Sequence, residues 1–256
     1  MKAGMILKTV TIGTVTLSTG MPKIGVVLSG SNRQVLLGQA AQVLSSAAQV
    51  VIWRLAAYQE FDNRAELINT ATQLQQVLGT IPVIADFQTD QKPMSATDYG
   101  QTCLTLVNNR AVAAVDIDFT MINQIDYENL TNRMRTNQIA LLLSQTLPAT
   151  SSMTDLVAAY TEMAAAGADI ARVTIEGQDT SAVLRLMTAT ATARQQLTLP
   201  LIATVTGALG RFNSVCGQLT GSALAFGRVG RVGELNQLPV SQLKQALQIL
   251  STVEGA

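Results

Sequence analysis

From Lys23 onward the chain alternates short β-rich runs with longer helical stretches, and the alternation repeats eight times. The runs are KIGVVLS, VVIWRL, IPVIADF, AAVDIDF, QIALLLS, DIARVTI, PLIATV and SALAFG. Helical patterns fill residues 34–48, 64–78, 151–166 and 182–196, and residues 241–252 close the series. Near-continuous apolar runs are what parallel strands show when helices cover one face and a packed interior the other. Eight strand-helix units with right-handed crossovers fit a closed barrel, and 256 residues match the roughly 250 of a single (β/α)8 domain. The expectation is therefore an α/β chain, residues 1–256, folded as one TIM barrel. Its N-terminal hairpin, residues 8–17, is expected to close the bottom. An open doubly wound sheet is the competing arrangement. It is disfavoured because the first strand-helix turn, SGSNRQ, lacks the GxGxxG of dinucleotide folds and no Walker-type loop occurs.

Composition narrows the partners. Charged residues make up only 13% of the chain, about half the usual ~25%, so the surface is neutral and self-association is expected. Seventeen basic residues balance seventeen acidic ones and form no run, which argues against nucleic acid. Cys103 and Cys216 are isolated and make no metal-ligand pattern; they read as reduced thiols. Residues 1–7 are too short for a secretory core and no apolar run reaches ~18 residues, so a cytoplasmic, membrane-free protein is expected.

Chemistry on such a barrel sits where strands run out into the following loops. There the chain is unusual, because it has no histidine at all. Histidine titrates near neutral pH without help, so proton transfer would fall to carboxylates, Lys, Tyr, Cys or water. Arg54 and Arg172 end their strands facing the mouth, and buried guanidiniums need counter-charges. Asp86, Asp118 and Glu176 are the expected internal partners; the functional alternative is a bound small anion, with Arg211, Arg228 and Arg231 extending a positive rim. Trp53 and Phe87 read as packing. Glu176 and Asp179 are too few ligands for a metal, and neither a metal nor a cofactor is expected.

The ordered series PKIGVVLSG, VVIWRL, PVIADFQ, VDID, LLLSQT, GADIARV, PLIATVTG, GQLTGSALAFG and NQLPV resembles the type I 3-dehydroquinate dehydratase family nearly end to end. Pro22, Lys23, Trp53, Tyr99, the Gly167 to Ile170 entry, Gly217, Gly221, Ser222 and Gly227 carry the match as scaffold. The resemblance implies a shikimate-pathway lyase that dehydrates 3-dehydroquinate through an imine on a lysine of the sixth barrel strand. That lysine falls at Arg172, whose guanidinium stays protonated and cannot be the amine nucleophile. The family histidine is matched to Gln145, and the second-strand glutamate to Ile52. Substrate-binding arginines fall at Gln88 and Ser214, a serine falls at Gly233, and Arg54 and Gln237 are retained. Asp118 replaces a strand-four glutamate.

The catalytic positions Arg172, Gln145 and Ile52 are thus degenerate, and Arg54, Gln88, Arg172, Ser214, Gly233 and Gln237 remain as candidate ligand contacts. The expected role is a pseudoenzyme, paired as a homodimer like its family, that binds a small carboxylate or phosphate. The alternative is a weak or repurposed lyase working without the imine. Lys92, in the third strand-helix loop, is the one amine that could substitute there.

Overall fold

The computed structural model describes residues 8–18, 20–89, 94–234 and 236–251. Eight runs form the strands β3 (Lys23–Leu28), β4 (Val50–Arg54), β5 (Val83–Phe87), β6 (Ala114–Asp118), β7 (Ala140–Leu147), β8 (Ile170–Glu176), β9 (Leu201–Thr206) and β10 (Leu224–Phe226). All paired neighbours are parallel, in the order β10-β3-β4-β5-β6-β7-β8-β9. The two ends of that order meet through a Leu201↔Ser222 bridge, where Ala223 N–H donates to the Leu201 carbonyl at 2.7 Å. This is the expected barrel.

Strand side chains alternate between two apolar clusters, as a pleat of period two requires. Val51, Trp53, Ala85, Val115, Leu143 and Val173 face the helices. Val50, Ile52, Ile84, Ala114, Leu142, Ile170, Ile202 and Phe226 face inward and fill the barrel floor. The helices α1 (Arg33–Leu44), α2 (Arg64–Leu78), α3 (Ala96–Asn108), α4 (Tyr127–Asn137), α5 (Met153–Ala165) and α6 (Thr180–Arg194) follow β3 to β8 in turn. After β9 come two short helices, α7 (Gly210–Val215) and α8 (Gly217–Thr220), and α9 (Val240–Leu250) ends the described chain.

Helix starts follow polar side chains that satisfy otherwise orphaned backbone N–H groups. Asn32, Asn63, Ser95, Ser152 and Asp179 each accept from a backbone N–H three residues on, and Ser152 with Asp155 closes a capping box. The first helix stops four residues short of the expected 48. Ser46 takes the Val43 carbonyl with both its N–H and its Oγ, at 2.9 and 2.7 Å, and ends the helix there.

The hairpin β1 (Val10–Ile12) and β2 (Val15–Leu17) turns at Gly13, whose φ of +55° suits a residue without Cβ. Val10, Ile12 and Leu17 join the floor cluster, so the hairpin closes the barrel at the amino ends of its strands. Lys8 pairs with Asp169 at 2.8 Å, and Asp169 also accepts from Leu141 N–H, which ties the hairpin to the entry of β8. Scaffold positions behave as read: Trp53 packs edge-on against Tyr58, Phe87 stacks on Tyr99, and Gly217 leaves room for Pro22.

Candidate functional site

Above the apolar floor the inward-facing residues turn abruptly ionic. Register sets Arg54 beside Asp86, and Asp86 beside Asp116, on three successive strands. Two adjacent buried carboxylates repel, and the barrel resolves this by sending Arg172 across from β8 between them. Its Nη2 lies 3.0 Å from Asp86 Oδ1 and 2.6 Å from Asp116 Oδ2. The other Asp86 oxygen is 3.8 Å from Arg54 Nε, and Arg54 Nη1 meets Glu234 Oε1 at 2.7 Å. Carboxyl and guanidinium groups thus alternate, Asp116, Arg172, Asp86, Arg54, Glu234, from the barrel interior out to the last loop.

Burial is steep along this series. Asp86, Asp116 and Arg172 are buried, whereas Glu234 is half exposed. The Asp116 carboxyl is pushed up to about 8, chiefly by burial, with Arg172 opposing the rise and Asp86 adding to it. A polar relay supports the same carboxylate: Gln88 Nε2 donates to Ser144 Oγ, which donates to Asp116 Oδ1.

A cavity of ≈ 240 Å³ opens at the carboxyl ends of the strands above these charges. Arg54, Arg172, Ser214 and Gln237 line it, so four of the six expected ligand contacts converge. Val27 and Phe226 supply an apolar wall, and Arg211 adds a third guanidinium. Gln88 is buried beneath, committed to Ser144, and does not line the cavity. Gly233 sits in the last loop at φ +99°, where an added Cβ would meet Gln237 Oε1 at 3.2 Å.

Other expectations change once side chains are placed. Gln145 pairs in register with Val173, which faces the helices, so it shares that outward face; Thr146, opposite Thr174, holds the inward position at the end of β7. Ile52 is part of the floor, its Cδ1 only 2.9 Å from where a Cβ on Gly25 would lie. Asp118 does not answer an arginine: it accepts from the backbone and hydroxyl groups of both Thr89 and Thr120, fixing the strand ends. Glu176 is exposed and accepts from Gln178, while Asp179 caps α6. Arg228 spends its donors on the carbonyls of Gln237 and Gly230 and braces the last loop rather than widening a positive rim. Lys92 lies outside the described residues. Among those residues no group of three metal-ligating side chains occurs, and no helix is long and apolar enough to cross a membrane.

Sequence reasoning missed Asp116 and Glu234 as charge partners, and missed two acceptors in the cavity wall. Asn213 is buried, its Nδ2 held by the Ala203 carbonyl at 2.8 Å, and its Oδ1 has no hydrogen-bond partner; the same is true of Thr204 Oγ1. Period-two parity from Ile202 could have found Thr204, whereas Asn213 reaches the wall through the path of a loop that no local pattern foretells.

Residues 24–254 match the family model of type I 3-dehydroquinase. A 3-dehydroquinate dehydratase from Lactiplantibacillus plantarum is 27% identical over 240 residues, covering 92% of this chain and 95% of that protein. The solved 3-dehydroquinate dehydratase of Enterococcus faecalis superposes with a TM-score of 0.86 at 26% identity, over 95% of this chain and 100% of its own. The Clostridium difficile type I enzyme, solved with covalent modified comenic acid, shares the fold with a TM-score of 0.89 at 23% identity, over 96% and 98% of the two chains. A match that runs through all eight strands and both barrel ends makes this chain a member of the type I 3-dehydroquinate dehydratase family.

Proposed function

We propose that this chain does not run its family's imine-based dehydration and keeps the barrel mouth as a pocket for a small carboxylate or phosphate. The observation that carries the first half is Arg172. It occupies the position that the family resemblance gives to the imine lysine, and its guanidinium is held between two buried carboxylates. A guanidinium offers no free amine lone pair at any ordinary pH, so no carbonyl can be captured there. The positions that the resemblance gives to the acid/base groups hold none: Thr146 takes the inward place near the end of β7, Ile52 lies in the floor, and the inward carboxyls of Asp86 and Asp116 are engaged by Arg172. Loss of a positioned acid/base alone lowers rates by about 10²- to 10⁴-fold.

Support for the second half is the convergence of Arg54, Arg211, Ser214 and Gln237 on one cavity. At ≈ 240 Å³ the space is smaller than the ~300 Å³ at which drug-sized sites begin, so the ligand is a small metabolite. Incubation with 3-dehydroquinate and borohydride is expected to leave the intact mass unchanged, and a dehydroshikimate assay to show no enzyme-dependent rate. A reduced covalent adduct, or robust turnover by the wild-type protein, overturns the inactive reading. Quinate, phosphate or sulfate is expected to raise the melting temperature, because a ligand bound only by the native state stabilises it. A flat response to all three overturns the pocket.

A further inference from the structure

Glu234 stands apart from the other members of the charge series. Asp86, Asp116 and Arg172 are buried in the barrel, but Glu234 reaches in from a half-exposed position on the last loop, 180 residues along the chain from Arg54. Among the described residues inside the barrel, Arg54 has only the Asp86 carboxyl within ion-pair range, 3.8 Å from Nε and too far for a hydrogen bond. What Glu234 does occupy is the outward donor of Arg54, Nη1, at 2.7 Å. That donor belongs to a cavity-lining guanidinium, and a carboxylate oxygen at that distance makes the contact a bound anion would make.

The loop that carries Glu234 is held by Arg228 on the Gln237 and Gly230 carbonyls and by Arg211 on the Asn236 carbonyl, contacts separate from the one that the Glu234 side chain makes to Arg54. Two glycines at positive φ precede Glu234, Gly230 at +57° and Gly233 at +99°. Its closing turn is local, with Gln237 N–H donating to the Glu234 carbonyl and Glu234 N–H donating to Gln237 Oε1. Gln237 thereby spends its oxygen inside the loop, and its amide N–H groups remain for a ligand. Both the carboxylate and the amide donor sit on one segment, so displacement of the first is coupled to the placement of the second.

We propose that Glu234 is an internal counter-ion that fills the anion subsite on Arg54, and that a carboxylate or phosphate ligand binds by displacing it. This rests on the pocket reading above and adds the competitor that sets its affinity. Nη1 carries a second N–H, but an anion placed on it would lie against the Glu234 carboxylate; their like charges repel, so the side chain lowers anion affinity and selects for ligands whose other contacts make up the difference.

The test compares wild type, Glu234→Gln and the double variant Arg54→Gln/Glu234→Gln by calorimetric titration with sulfate, phosphate and malate. Gln keeps the size and the loop contacts while removing the charge. Glu234→Gln is expected to bind about three- to tenfold tighter than wild type at low salt, with the advantage shrinking as salt screens the half-exposed charge. The double variant is expected to lose that gain. Equal or weaker binding by Glu234→Gln, with measurable wild-type binding, overturns the counter-ion role and leaves the pocket standing. No binding of any probe to wild type or Glu234→Gln overturns both. Melting of the unliganded variants within about 2 °C of wild type identifies the change as one of affinity, not of folding.

Discussion

Arg172 shows what a buried guanidinium demands of its neighbours. A buried guanidinium is costly unless met by opposite charge and hydrogen-bond acceptors, and here Asp86 and Asp116 meet it at 3.0 and 2.6 Å. The two carboxylates in turn lie side by side in the sheet and depend on the arginine between them. Because burial raises the Asp116 pKa from 3.8 to about 8, the folded state holds this proton more tightly than the unfolded chain does. The sign follows from linkage: the stabilising contribution is complete below about pH 4, declines as pH rises, and is gone above about 8. Urea unfolding between pH 4 and 9 should therefore show a downward slope that Asp116→Asn removes. Superimposable profiles would mean that Asp116 is already ionised in the native protein. At this scale the sequence names the ionic residues, but not their pairing. Asp118 and Glu176 had equal claim as partners of the arginines until register turned Asp116 inward beside Asp86.

Strands were the most legible elements, since apolar runs of five to eight residues bounded by polar turns have few other uses in a chain of this length. Facing was less so. In β7 a shift of one residue decides whether Gln145 or Thr146 looks into the barrel, and a sequence match with a one-residue ambiguity cannot resolve it. In β4 the same parity sends Ile52 into the floor with Val50, against the space that Gly25 leaves open. Placing there the glutamate that the family resemblance implies should fail as a repair. Ile52→Glu would place a carboxylate among Val27, Val50 and Phe226, and a loss of roughly 3 kcal/mol or more is expected from chemical denaturation. A loss below about 1 kcal/mol would show that water or a cation reaches the floor. Helix ends were read less sharply than strands, as at Ser46, because a serine that caps and a serine that continues a turn look the same in sequence.

Across the whole molecule the barrel is a stack: hairpin, apolar floor, ionic layer, polar cavity. The hairpin is short, yet its Ile12 and Leu17 are completely buried and complete the floor beneath the charges. Ile12→Ala should cost about 2–5 kcal/mol in urea unfolding, the range for a large side chain lost from a packed core. A cost near zero would mean that the hairpin lies on the barrel without supporting it. The sequence by itself determined the eightfold strand and helix alternation, the absence of histidine and the arginine at position 172, because each depends on residue type and local spacing. Only the tertiary structure decided that Asp116 and Asp86 would share Arg172, that Gln88 would sink to Ser144, and that Glu234 would close on Arg54. Those contacts join residues up to 180 positions apart, and electrostatics acts through distances in space that local spacing does not encode.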